Sequence, residues 1–270
     1  MMNKAVILAG GMGTRMQKQD QAADLTENQA AVAGTGVKAM IPIDRPFLDY
    51  VLTVLADAGY QQVCLVIGPD HDPVRDYYNH QAPAKRLTIE FAIQAKPLGT
   101  ANAVAAAESF VADDHFLMIN SDNHYPLDAV RALREINGPG LVGFERRALI
   151  DKSNIPADRV LMFAAAEIND AGHLRRVIEK PTEQQLASLG DEVYLSMNCW
   201  RFTPNIFDAC REIAPSSRGE LEITDAAQHC IDHLSEQFQV VKSNSPVLDL
   251  SSRQDVAPVT KLLAGSEVSF

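Results

Sequence analysis

The chain has 270 residues, of which 46% are apolar, and carries a net charge of −11. That supplies a sizeable core for one large domain or two small ones, and it argues against a dedicated nucleic-acid binder or a protein resting on an anionic membrane. No apolar run reaches membrane-span length and the N-terminal apolar stretch is too short for a signal peptide, so no membrane partner and a cytoplasmic setting are expected.

The first element is the run Ala5 to Ala9 in KAVILAGGMGTRM. Short, unbroken and flanked by glycine, it predicts a strand buried on both faces. Gly10, Gly11 and Gly13 follow, then Thr14 and Arg15. A glycine turn after a buried strand exposes N–H groups that suit phosphate oxygens, and arginine adds a fork of donors. Alone, the pattern reads equally well as a tight turn with a surface arginine. It is neither GxGxxG nor a Walker A loop.

Residues 17–36 are polar, rich in alanine and closed by Gly34-Thr35-Gly36. They show no clear apolar face, so a long excursion is expected here, one that orders as a lid when ligand arrives. An amphipathic helix is predicted over FLDYVLTVLADAG, ending at Gly59, then a buried strand Val63 to Gly68 and an alternating strand Leu87 to Gln94. Thr100 is expected to cap an alanine-rich helix running to Phe110. A further buried strand, His115 to Asp122, precedes the helix LDAVRALREI.

The second half adds strands at GLVGFERR, RVLMFAAAEI, LRRVIEKP, YLSMNCWRF and FQVVKS. Helices are predicted at 204–213, 223–234 and 255–263. The alternation of strands and helices predicts an α/β protein with a parallel-type sheet covered on both faces. No linker or repeat divides it. Cys64, Cys199, Cys210 and Cys230 form no CxxC pair and read as reduced thiols, and the seven histidines lack zinc-type spacing.

Open α/β sheets bind ligands at the carboxyl ends of their strands. Arg15, Asp122, Glu179, Lys180 and Asp249 all fall at such ends, and Lys38 opens KAMIPI. Asp122 also reads as a helix cap and Asp249 as a turn residue. As a set, they are two carboxylates able to hold Mg²⁺ and three cations able to hold phosphates.

Eight segments in order resemble the sugar-1-phosphate nucleotidyltransferases, the sugar nucleotide pyrophosphorylases. They are LAGGMGTRM, VKAMIPIDRPFLDYVL, QAKPLGTANAV, INSDNHYP, VIEKP, MNCWRFTPNIF, RGELEITDA and LDLSSRQDV. The resemblance implies a Rossmann-like three-layer α/β/α sandwich with a mixed, mostly parallel central sheet. It implies one domain over 1–270, with 1–125 mainly for nucleotide and 126–270 mainly for sugar phosphate. The implied reaction transfers a nucleoside monophosphate from an NTP to a sugar 1-phosphate.

By the same resemblance, nucleotide contacts fall to Leu8, Ala9, Gly10, Gly11, Gly13, Thr14, Arg15, Gln94, Pro97, Gly99, Thr100 and Ser121. Arg15, Lys38 and Lys180 would be catalytic cations. Asp122 and Asp249 would hold Mg²⁺. Asn123, Glu179, Lys180, Asn198 and Glu222 would hold the sugar phosphate. Gln94, whose amide can read a base edge, also reads as a polar strand end. Trp200, the only tryptophan, is expected in the core beside the sugar strand.

Some motifs depart from the family pattern. VKAM lacks the usual proline, NSDN lacks the glycine before the aspartate, SSRQD stands for GTPED, and Cys199-Trp200 stand where small residues are common. A left-handed β-helix domain is not expected after Phe270; the resemblance allows a homo-oligomer, and the sequence does not fix the oligomeric state. Alternative readings are a nucleotidyltransferase for a molybdopterin- or choline-phosphate-type substrate, or a non-catalytic homologue that binds nucleotide sugars. Within the main reading the sequence leans to a pyrimidine or guanine nucleotide and a hexose-type phosphate.

Overall fold

The protein is described by a computed structural model covering residues 2–20 and 22–270. Strand β1 is Lys4–Leu8, β2 Gln62–Ile67, β3 Thr88–Ile93, β4 Phe116–Asn120, β5 Asn123–His124 and β6 Gly140–Glu145. Then come β7 Ala165–Ile168, β8 Leu174–Ile178, β9 Tyr194–Phe202, β10 Gln239–Ser243 and β11 Leu248–Asp249. One sheet runs β10-β6-β9-β4-β1-β2-β3, with β7 attached to β9 and β8 to β7. The β4-β1-β2-β3 half is parallel throughout; β9 enters antiparallel between β4 and β6. The expected mixed sheet is therefore present.

The period of two along each strand divides the apolar residues between two cores. Ala5 and Ile7 of β1, with Val63, Leu65 and Ile67 of β2, belong to one cluster; Val6, Cys64 and Val66 belong to the other. Helix Phe47–Asp57 covers the first face, and helices Thr100–Ala105, Asn205–Glu212 and Ile223–His233 cover the second. This is the three-layer arrangement. Trp200 is fully buried in the second core, stacked on Phe202 at 5.5 Å. All four cysteines are free and buried. Among the described residues no helix is long and apolar enough to cross a membrane.

Three local expectations are corrected. RVLMFAAAEI is strand only over Ala165–Ile168; Ala157–Val160 is a helical turn led by Pro156, whose fixed φ suits a helix start. The helix from Thr100 breaks after Ala105 and resumes at Glu108–Val111, and its N-cap is Gly99. The Thr100 hydroxyl instead accepts from the backbone N–H of Ile223, at the start of another helix. The polar excursion contains a formed helix, Glu27–Thr35, closed by a capping box between Thr26 and Gln29. The buried Gln29 ties it down by donating to the Pro42 carbonyl at 2.9 Å.

Candidate active site

At the carboxyl ends of β1 and β4 lies a cavity of about 330 Å³, bordered by Leu8 to Met12, Lys38, Gln94, Gly99, Ser121 and Asp122 among others. The glycine loop owes its shape to backbone contact. Gly13 has φ +57°, and a Cβ there would lie 2.0 Å from the Gly36 carbonyl oxygen. Gly36, at φ +80°, closes the helix Glu27–Thr35 and packs equally tightly on the Met12 carbonyl. Only glycine meets both demands.

The far wall is set by Gln94. Its amide donates to the Gly99 carbonyl at 3.0 Å and to Asn102 Oδ1 at 3.1 Å. Both amide hydrogens are thus committed, so this buried side chain presents an acceptor, Oε1, close beside Gly10. Gly99 has φ +122°, and a Cβ there would sit 2.4 Å from the Leu221 carbonyl. The close approach it permits is therefore by RGELEITDA, whose Leu221 bonds both Leu98 and Ala101.

At the Lys38 end of the cavity, carboxylates gather. The two-stranded ladder β5-β11 pairs Asn123 with Asp249, and Leu250 donates to the Asp122 carbonyl at 2.8 Å, which brings Asp122 beside Asp249. Lys38 Nζ pairs with Asp122 at 2.7 Å. The Asp249 Oδ1 atom accepts from Asn123 at 2.9 Å and from the Ser251 hydroxyl at 3.0 Å, while Oδ2 meets Arg159 at 2.6 Å. Arg159 also reaches Asp255 at 3.0 Å. Burial, and then the nearby charge of Asp122, push the Asp249 carboxyl up to about 6. The cap reading of Asp122 fails, because the next helix is capped by Pro126 without a side-chain bond.

Residues 4–257 match the Nucleotidyl transferase family. The chain belongs to that family. It is 34% identical to a glucose-1-phosphate thymidylyltransferase of Streptomyces antibioticus over 236 residues, 85% of this chain and 58% of that one. It is 30% identical to a low-salt glycan biosynthesis nucleotidyltransferase of Haloferax volcanii, over 85% of this chain and 57% of the relative. The chain thus spans a little over half the length of these two relatives. A UTP–glucose-1-phosphate uridylyltransferase of Haloferax volcanii is 29% identical, over 83% of this chain and 81% of its own. In fold, the chain superposes on a UDP-glucose pyrophosphorylase complexed with UDP-glucose with a TM-score of 0.75 at 18% identity, covering 99% of this chain and 100% of that one.

Within this nucleotidyltransferase fold, the sequence-predicted residues divide. Leu8, Ala9, Gly10, Gly11, Lys38, Gln94, Pro97, Gly99, Thr100, Ser121, Asp122 and Asn198 line the cavity. Gly13, Thr14, Arg15, Asn123, Glu179, Lys180, Glu222 and Asp249 do not. Gly13 shapes the loop, and Asn123 and Asp249 stand behind Asp122. The Glu222 carboxylate is taken by Arg218 at 2.6 Å, and Glu179 accepts from the Thr224 hydroxyl at 3.1 Å. Arg15 and Lys180 are exposed. Lys180 and Asn198 sit in left-handed backbone, φ +44° and +56°, a conformation that collects at functional sites when non-glycine residues adopt it.

Sequence reasoning missed Met12, Ala39, Ala103, Asn120 and Glu220 in the lining, and above all Arg159 and Asn154. Asn154 holds the Asp249 backbone from both sides, at 2.7 and 2.8 Å. Met12, Ala39 and Asn120 adjoin predicted residues, and position alone was the signal that could have found them. Arg159 lay inside a stretch read as strand, and nothing local signals a pairing across 90 positions.

Proposed function

We propose that this chain transfers a nucleoside monophosphate from an NTP to a sugar 1-phosphate, releasing pyrophosphate. The single observation that carries this reading is the meeting of Asp122 and Asp249, each held by a cation, at the edge of a glycine-walled cavity. Residues 1–125 would mainly hold nucleotide and 126–270 mainly the sugar phosphate.

The donor set suits a divalent cation. Among the described residues Asp122, Asp249 and Asp255 are paired only with Lys38 and Arg159, so the group is negative before any phosphate enters, and burial, then the nearby charge of Asp122, raises the Asp249 carboxyl. Asp122 and Asp249 would hold Mg²⁺. When bound, such an ion neutralises phosphate charge and aligns attacking and leaving oxygens. Asn123, Ser251 and Asn154 keep Asp249 fixed meanwhile.

The chain's own residues then position and neutralise. Gly10 and Gly11, in the cavity wall, would lie along the triphosphate, with Gly13 and Thr14 completing the loop and Arg15 set against the β- and γ-phosphates. A phosphate oxygen of the sugar 1-phosphate attacks the α-phosphorus in line. The bond from that phosphorus to the β-phosphate oxygen breaks, and the electron pair leaves with pyrophosphate. The nucleophile is already an anion, so no general base is required, and catalysis reduces to orientation and charge. Lys180 would hold the incoming sugar phosphate and Lys38 the α-phosphate region. Glu179, Asn198 and Asn123 would meet sugar hydroxyls; Glu222, already paired with Arg218, would serve by holding the loop.

An acceptor-only Gln94 suits a base that offers an N–H, as the imide of uracil or thymine does. The names of the relatives point to glucose 1-phosphate as acceptor. The free buried cysteines fit a reducing, cytoplasmic setting. The test is pyrophosphate release from a panel of NTPs against a panel of sugar 1-phosphates with Mg²⁺. The expected result is turnover with dTTP or UTP and glucose 1-phosphate; no pyrophosphate from any pair, with a folded protein, rejects the reading.

A further inference from the structure

A second cavity, of about 640 Å³, lies at the opposite end of the sheet, bordered by Lys4, Gln62, His115, Arg134, Asn137 and Arg201 among others. Lys4 opens β1, Gln62 opens β2, and His115 precedes β4. The same strands β1 and β9 that supply Leu8 and Asn198 to the active-site cavity supply Lys4 and Arg201 to this one.

Arg201 is unusual here. It is only 8% exposed, and it enters none of the ion pairs among the described residues. One terminal nitrogen donates to the carbonyls of Leu133 and Arg134, at 3.5 and 2.9 Å, in the last turn of helix Leu127–Glu135. The other faces His115 Nδ1 at 3.3 Å, and the Nε hydrogen has no partner. Helix-end carbonyls offset part of a buried positive charge, yet a guanidinium out of water ordinarily has a carboxylate as well.

The contact with His115 fixes a second donor. Guanidinium nitrogens only donate, so Nδ1 accepts and the ring proton sits on Nε2. The other charges around the cavity are largely committed. Lys4 donates to the Phe110 and Val111 carbonyls and pairs with Asp114, and Arg134 donates to Met2 and Asn3. Glu135 is exposed. What remains is a buried cation without a counter-charge, a neutral N–H donor, and the amides of Gln62 and Asn137, around a space of the size that takes a small metabolite.

We propose that this cavity binds a small oxyanion, a carboxylate or phosphate group of a metabolite, with Arg201 as its counter-charge and His115 as a second donor. The assignment is independent of the reaction proposed above. It is tested by hydrogen exchange on the full chain titrated with inorganic phosphate and, separately, with malonate. Either probe should saturably protect amides at 2–4 and 132–137, whatever happens at the glycine loop. Protection by phosphate alone assigns a phosphate ester, by malonate alone a carboxylate, by both a general oxyanion site. Arg201→Gln should weaken that protection by about tenfold or more. Should Arg201→Gln fail to fold, Gln62→Glu takes its place: a carboxylate on the wall supplies the missing counter-charge and should weaken the probe by a similar factor. No protection by either probe, or equal protection in the folded variant, overturns the site.

Discussion

The two ends of the cavity, proposed to take the base and the phosphates, are built on different terms. At the proposed base end the polar groups are fixed within the protein, Gln94 donating to Gly99 and Asn102 and Leu221 bonded to Leu98 and Ala101, which leaves the Gln94 Oε1 acceptor toward the cavity. At the proposed phosphate end Lys38 and Arg159 are occupied with carboxylates, while Arg15 and Lys180 are exposed. In the proposed reading one end is organised in advance and offers a fixed acceptor, and the other redistributes charge as phosphates arrive. Preorganised contacts cost little on binding, whereas charges that change partners gain most in the transition state.

The contrast is most exposed to the loss of a phosphate-end carboxylate. Asp122→Asn should lower turnover by about 10²–10³-fold or more, with cooperative unfolding retained, since Asp122 is partly exposed. Asp249→Asn should lose as much turnover and, because Asp249 is buried against Arg159, about 1–3 kcal/mol of stability too. Steady-state kinetics and denaturant titration of both variants check this; turnover within about threefold of wild type removes the metal role.

Next in size are the exposed cations. Arg15→Ala should weaken NTP binding and the chemical step together, and Lys180→Ala should raise KM for the sugar phosphate, each by about tenfold or more, with unchanged melting temperature. If Lys180→Ala alters only the NTP dependence, the two residues have been assigned to the wrong phosphates.

The base end should fail by unfolding rather than by chemistry. Gly99→Ala adds a Cβ 2.4 Å from the Leu221 carbonyl at φ +122°, and should cost about 1–3 kcal/mol, read as a lowered denaturant midpoint. An unchanged midpoint would mean that this wall yields freely.

A smaller signal distinguishes the two parts of the polar excursion. Helix Glu27–Thr35 is pinned by Gln29 and by the Gly13–Gly36 contact, so its amides should be protected with or without nucleotide. We expect residues 18–20 and 22–25 to gain protection at saturating NTP and Mg²⁺. Unchanged exchange there, while the glycine loop is protected, excludes a lid.

Smallest is the pH effect. Burial holds His71, His115 and most of all His124, lowered to about 4, below the ordinary histidine range. The unfolded chain then takes up protons near pH 6.5 that the folded one refuses, so stability present above that pH falls as pH drops through it. The raised Asp249 carboxyl takes up its proton in the folded state over the same range and offsets part of this loss, so unfolding midpoints should decline from pH 7.5 to 5.5 by about 1 kcal/mol net; a rise over that range contradicts the assignment.

Much of this molecule was legible because its strands are short apolar runs ended by glycine or a charged residue, a pattern that marks both the sheet and the ligand edge. The helix Glu27–Thr35 was not read because it has no apolar face; its order comes from a cap and from contacts with distant residues. The T-x-x-Q box at Thr26 and Gln29 was nevertheless present in the sequence. Thr100 illustrates the opposite error, a good capping residue in place whose hydroxyl serves a helix far along the chain. Arg159 was beyond reach, because a long-range ion pair leaves no local trace.

The central claim is that the bond broken is the one between the α-phosphorus and the β-phosphate oxygen. It is tested most directly by incubating the protein with Mg²⁺, a sugar 1-phosphate and an NTP radiolabelled at either the α or the γ phosphorus, and separating the products. The account predicts α label in a nucleotide sugar and γ label in pyrophosphate, in equal amounts. Label from the γ position in inorganic phosphate or on the sugar, with none from the α position in a nucleotide sugar, would contradict it.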